Sequence, residues 1–190
     1  MQESQQIAGA YMQAFRDAEI GGTGPVVYAA PQGTPDALRI AGPVRIKQLI
    51  AGGMAPAEAY TRAFTKYEGM VRRQAMMGGR LTIAASAGRD RKAIGWRRVT
   101  DGNPCAFCAL LASRGPVYRS AASADGLQYH AHCGCTAEPA YTAWKPSAVE
   151  ERYVDEYANA AARVRDAGQR ETAKTILAEM RKSGLFRDSH

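Results

Sequence analysis

The sequence predicts an α+β protein, mostly helical, with N- and C-terminal helices around a small, irregular, strand-containing core. Three observations carry that prediction. Apolar residues recur at helical spacing near both ends of the chain. Trp96-Arg97-Arg98-Val99-Thr100 reads as a strand, with Asp101-Gly102-Asn103-Pro104 as the turn behind it. Between the helical flanks, residues 105–140 are poor in helical periodicity and rich in turn residues. The predicted organisation is a helical region over 1–94, a core over 95–140 and a C-terminal helical region over 141–190.

Residues 1–20 place Ile7, Tyr11, Phe15 and Ala18 on one side of a helix. Gly21 to Pro31, rich in Gly and Pro, is a loop. Thr34-Pro35-Asp36 opens a helix with Thr as N-cap, and Pro43 either interrupts it or begins another, with the end near Gly52-Gly53. A strong helix starts at Pro56, where Tyr60, Phe64, Tyr67 and Val71 form a narrow apolar seam expected to serve packing. Gly78-Gly79 is expected to break it, with a short basic helix running through Leu81 to Lys92. Ser147-x-x-Glu150 is a capping box that opens a helix through Val149, Tyr153, Tyr157, Ala161 and Val164. Ala167-Gly168 breaks it, and Ile176, Leu177 and Met180 belong to a further helix. There are no internal repeats.

At 190 residues the chain has room for one or two domains with a real core, and its 46% hydrophobic content is that of a globular protein. No apolar run is long enough to span a bilayer, so no membrane role is expected. The N-terminus lacks the basic start and apolar run of a signal peptide, which points to synthesis in the cytoplasm. The net charge of +7 is concentrated: residues 71–100 hold eight Lys or Arg against the single acid Asp90, and elsewhere the charges balance. Such a stretch attracts polyanions, of which nucleic-acid phosphate is the commonest. Arg72, Arg73, Arg89, Arg91, Lys92, Arg97 and Arg98 are therefore the candidate DNA contacts. The competing reading is a solvated helix face. Trp96 among these arginines is expected in the core rather than stacked on a base.

All four cysteines fall within 31 residues, as Cys105-x-x-Cys108 and Cys133-x-Cys135, with His130 and His132 beside the second pair. A Cys-x-x-Cys turn brings two thiolates to one metal, and zinc completes a tetrahedron of Cys and His ligands. Thiolates favour zinc over magnesium or calcium. Cys105, Cys108, His130, Cys133 and Cys135 are thus the candidate ligands of a structural Zn2+, one more than a tetrahedron needs. The second half of the site is Cys133 with Cys135, brought together by a bend at Gly134, or His130 with Cys133. His132 is expected on the surface. A redox pair would require a strand–helix setting that the pattern lacks. Disulfides fit poorly with a chain lacking a secretory signal. A Cys–His nucleophile has no evident orienting acid, and Asp125 is the only acid between the two cysteine pairs, so no catalytic residue is assigned.

The run Trp96-Arg97-Arg98-Val99, the segment from Cys105-Ala106-Phe107-Cys108 through Leu111-Ala112-Ser113-Arg114-Gly115-Pro116-Val117-Tyr118, and Tyr129-His130-Ala131-His132-Cys133-Gly134-Cys135 together resemble the MuF-like minor capsid proteins of tailed bacteriophages. The version resembled is the one carried by phages and prophages of actinobacteria. The family motif pairs a Cys-x-x-Cys with a His-x-x-Cys-x-Cys, and His130, Cys133 and Cys135 match the second element position by position. Ala8 to Arg16 is similar to the helical start of such proteins. The chain departs from the family's His-Pro-Asn-Cys-Arg-Cys, having Gly134 where the Arg stands. The resemblance implies a non-enzymatic head-morphogenesis component made in a bacterial host. It would associate with the portal protein and major capsid protein, lie in the capsid interior near the portal, and touch packaged phage DNA non-specifically. Two other classes compete: a zinc-containing DNA-binding module, and a metal-dependent nuclease using His130 or His132.

Overall fold

The structure, a computed structural model, describes residues 2–120 and 128–187, so Asp125 lies outside the described residues. It is about 60% helical with one small sheet, an α+β fold as expected. The elements are α1 (Gln2–Ile20), α2 (Thr34–Arg39), α3 (Arg45–Ala51), α4 (Pro56–Arg89), β1 (Gly95–Val99), α5 (Ala106–Ala112), β2 (Thr136–Ala140), α6 (Ala148–Asp166) and α7 (Ala173–Lys182). Pro43 does interrupt the second helical stretch, inside a π-helical turn over Ile40–Val44 that joins α2 to α3. Thr34 is the first residue of α2 rather than its cap, and its hydroxyl donates instead to Gln74 Oε1 of α4 at 3.3 Å.

α4 is the spine. It runs unbroken through Gly78-Gly79, where the sequence predicts a break. The glycines serve close approach instead: a Cβ on Gly79 would stand 3.0 Å from the carbonyl oxygen of Ser4, because α1 crosses there. The faces of α1 and α4 also differ from expectation. α1 buries Ala8, Gly9, Met12 and Arg16, leaving Ile7 64% exposed. In the first half of α4 the small residues Ala59 and Ala63 are fully buried, while Tyr60 and Phe64 of the predicted seam are 60% and 66% exposed. Helices that meet through alanine and glycine come closer than bulky side chains allow, so the periodic large residues end beside the contact rather than in it.

β1 and β2 pair antiparallel, with Trp96 opposite Pro139. The proline is tolerated because Trp96 spends its backbone groups on the other edge, where its N–H donates to Tyr118 O at 2.8 Å and its carbonyl accepts from Tyr118 N at 3.3 Å. Trp96 is fully buried, as expected. The main apolar core gathers Ala8 and Met12 of α1, Ile83 of α4, Trp96, Leu110 and Leu111 of α5, Val164 of α6 and Met180 of α7. It therefore draws on all three stretches of the chain. α5 lies inside the segment read as irregular, and six of its seven residues are buried. The Ser147–Glu150 capping box and the break before α7 are both present.

Candidate metal centre

α5 begins at the first cysteine pair. Cys105 is its N-cap and Cys108 lies in its first turn, three residues on, so both thiols leave from one side of the helix. The second pair arrives on the segment leading into β2, and all four cysteines are buried and free. Cys105 Sγ lies 2.9 Å from His130 Nε2, and Cys108 Sγ lies 3.5 Å from Cys133 Sγ. Two donor triads result, Cys105 with Cys108 and His130, and Cys108 with Cys133 and Cys135; within each, the donor atoms lie within 4.8 Å of one another. Cys108 belongs to both. The five predicted ligands thus converge, and the cluster can hold a metal ion.

His132 stands apart on the surface. Its backbone is left-handed at φ 60°, and its Nε2 lies 3.0 Å from Thr65 O, with the ring against Gly69 of α4. Gly134 is held by its neighbour, since the Asp101 carboxylate occupies the space where a Cβ would project. A side chain in this place would have to displace it.

Hydrogen bonds among the sulfurs split their acidities. Cys105 is pulled down to about 4, chiefly by its hydrogen bond with Cys108 and further by His130, against the opposing effect of burial. Cys108 moves up through the same bond to Cys105, and Cys133 moves down through its bond to Cys108. For Cys135 the contact with Cys108 is outweighed by its bond to Cys133 and by burial, which push it up to about 12. The Cys105 thiolate raises His130. So many buried thiols share protons unless a cation joins them, which is the chemistry of a soft-metal site.

Around the sulfurs pack Met77 and Leu81 of α4, Phe107 of α5, and Tyr129. Two guanidiniums stack on the Tyr129 ring, with Arg80 Cζ 3.9 Å and Arg98 Cζ 3.8 Å from its centroid. Burial pushes its phenol up to about 12, against the lowering effect of both arginines, so it stays neutral. Sequence reading missed Arg80 and Tyr129 as parts of the site; an Arg on an otherwise apolar helix face was the available signal. The chain end also returns here, with Arg187 Nη2 donating to His132 O at 3.3 Å.

The candidate DNA contacts divide. Arg98 is fully buried, Arg97 pairs with Glu138 at 2.6 Å and with Glu150, and Arg73 donates to Tyr129 O. Arg98 is thus turned inward, while Arg73 and Arg97 are half-buried and already bonded within the molecule. Arg72, Arg89, Arg91 and Lys92 are exposed. Seventeen residues of helix separate Arg72 from Arg89, about 25 Å, so only Arg89, Arg91 and Lys92 form a local group.

A helical scaffold closed over a buried Cys/His cluster defines the class of protein. More particularly, the chain matches the VG15 protein family over residues 8–160 and belongs to it. VG15 is a viral protein family, so this is a viral protein. No curated protein and no solved structure matches the chain. No helix among the described residues is long and apolar enough to cross a membrane.

Proposed function

We propose that this protein is a non-enzymatic minor capsid component of a tailed phage, of the MuF-like head-morphogenesis kind, built around one structural Zn2+. The observation that supports it best is the convergence of Cys105, Cys108, His130, Cys133 and Cys135, two chain segments apart in sequence, into one buried cluster. A tetrahedral zinc with Zn–S near ~2.3 Å and Zn–N near ~2.0 Å has donor–donor edges of roughly 3.3–3.8 Å. The 3.5 Å Cys108–Cys133 distance lies in that range, and the 2.9 Å Cys105–His130 distance lies a little below it. Four of these donors would hold the ion, which would supply a cross-link between α5 and the segment before β2. Membership of a viral family fits a virion component, located in the capsid interior beside portal and major capsid protein after synthesis in the bacterial host. The exposed Arg89, Arg91 and Lys92 suit non-specific contact with packaged DNA, which would weaken steeply with salt.

Elemental analysis of the purified protein, with Cys105→Ser alongside, tests the zinc. About one zinc per chain, lost in the variant, is expected. Protein prepared under reducing, chelator-free conditions with no metal would overturn the reading. Co-sedimentation with portal or major capsid protein tests the assembly role. The DNA-binding-module alternative gains if the protein instead stays free and binds one duplex sequence over others at fixed salt.

A further inference from the structure

The basic stretch 71–100 carries the whole net charge, yet part of that charge faces the thiols rather than solvent. Arg80 and Arg98 are only 1% and 0% exposed and are among the largest fully buried side chains. A buried guanidinium is retained only where hydrogen bonds and opposite charge compensate its lost hydration. Arg80 makes a fork: its Nε and Nη2 donate to Cys135 O at 2.9 and 2.6 Å, and Nη2 also donates to Cys133 O at 2.7 Å. Among the described residues no carboxylate pairs with it; the acidic groups nearby are the Tyr129 phenol and the thiols of Cys133 and Cys135. Also over the Tyr129 ring, Arg98 has Nη1 3.6 Å from Cys108 Sγ, and its Nη2 donates to Gln128 O at 3.1 Å. The two arginines come from different elements, α4 and β1, and grip one segment, residues 128–135.

We propose that Arg80 and Arg98, both stacked on the Tyr129 ring, are positioning residues of the metal centre that fix the 128–135 segment and offset the negative charge of a thiolate-rich ion. The proposal rests on the zinc reading above. A zinc bound by three or four thiolates is net anionic, and cations placed beside it lower the cost of keeping the thiolates deprotonated. The fork fixes where the two backbone carbonyls lie, and hence where the Cys133 and Cys135 side chains start. Apolar packing alone has no such directionality.

The test uses the full chain with Arg80→Met, which removes fork and charge, and Arg80→Lys, which keeps charge but loses the fork. Arg72→Met, exposed on the same helix, is the control. Zinc affinity is measured by competition with a chromophoric chelator, and ligand geometry by the thiolate-to-metal and d–d bands of the cobalt(II) form. Arg80→Met should bind zinc about 10- to 100-fold more weakly, with shifted cobalt bands. Arg80→Lys should fall between it and wild type, and Arg72→Met should match wild type. Wild-type zinc affinity in both Arg80 variants overturns the proposal, as does lowered thermal stability with affinity and cobalt bands unchanged. If Arg80→Met does not fold, Arg80→Lys decides by the same readings. Zinc absent from the wild-type protein overturns this proposal together with the zinc reading. Zinc present, and held equally by the variants, overturns this proposal alone.

Discussion

The molecule has two buried cores that meet at α5 and are held by opposite means. The larger one is apolar: Met12, Ile83, Trp96, Leu110, Leu111, Val164 and Met180 reach it from six elements. Burial of that much hydrocarbon, at roughly 25 cal/mol per Å², needs no further agent. The smaller one consists of Met77, Tyr129 and the four cysteines, closed by Leu81 and Phe107. It has little hydrocarbon and two buried guanidiniums, so directional bonds must do what packing does elsewhere. The same helix serves both, presenting Cys105 and Cys108 to one side and Leu110 and Leu111 to the other. The lesson is that one short element can be stable by packing and still depend on coordination for half of its neighbours.

The sharpest way to break the comparison is to remove the sulfur common to both donor triads. Cys108→Ser should weaken metal binding more than any other single cysteine substitution, because both triads lose a member. Structural zinc contributes on the order of 10 kcal/mol in small metal domains. Hydrogen exchange should therefore rise steeply in residues 128–135 and at the start of α5, with α6 and α7 changed much less. Chelation of the wild-type protein should give the same map. Uniform loss of protection would mean that the two cores are one cooperative unit.

A smaller effect separates the two cysteines of the second knuckle. Cys133 Sγ stands 3.5 Å from Sγ of Cys108, the thiol shared by both donor triads. Cys133→Ser should lower zinc affinity by more than Cys135→Ser, with His130 completing the set in the latter. The reverse order, read by chelator competition, would place Cys133 outside the tetrahedron.

A buried ion pair also joins α1 to the residue that ends α4. Arg16 Nε of α1 meets Asp90 Oδ2 at 2.7 Å beyond the end of α4, both side chains buried, and Arg16 Nη1 also reaches the carbonyls of Gly21 and Gly22 at 2.8 Å. Asp90→Ala leaves that guanidinium buried without its anion and should destabilise by about 3 kcal/mol, measured by urea unfolding. Burial alone would raise the Asp90 carboxyl, but the Lys92 N–H and Arg16 outweigh it and hold the pKa below its usual value. A depressed folded-state pKa means the contribution is complete above the ordinary carboxylate range. It disappears as pH falls through the depressed value. Zinc content should be unaffected by Asp90→Ala, since the pair bonds to Gly21, Gly22 and Lys92 rather than to the cysteines. A variant that lost zinc would join what the comparison separates.

The same division explains what was legible in the sequence. The cysteine cluster was, because Cys and His are rare and each half of a metal site is local in sequence. The Ser147–Glu150 box and the Trp96 strand were too, because capping and strand character need only neighbouring residues. α5 was not, because a helix buried on nearly every side has no polar face to give it a period. The unbroken course of α4 was hidden because Gly78-Gly79 has the local signature of a break, and its reason, the crossing of α1, comes from 70 residues away. The exposed Tyr60 and Phe64 show that periodicity locates an apolar stripe without saying whether the fold covers it. Arg80, Arg97 and Arg98 counted as surface charge because their partners, Cys108, Gln128, Cys133, Cys135, Glu138 and Glu150, lie outside their own stretch of chain.

The least effect is expected where the apolar core is closed by capping alone. Ser147 accepts from the Glu150 N–H at 3.4 Å while the Glu150 carboxylate accepts from the Ser147 N–H at 2.9 Å, so two donors that α6 would leave unsatisfied are bonded. Glu150 also meets Arg97 of β1, so the cap ties the start of α6 to the sheet. Ser147→Ala removes one acceptor at an exposed site and should destabilise by about 1 kcal/mol. The loss should appear as a lower unfolding midpoint with zinc affinity unchanged. Zinc weakened by this substitution would mean that strain at the sheet edge passes through Arg97 into neighbouring Arg98, and so into the sulfur core. In that case coordination and packing would be coupled through β1, and the two cores would differ in chemistry but not in thermodynamic independence.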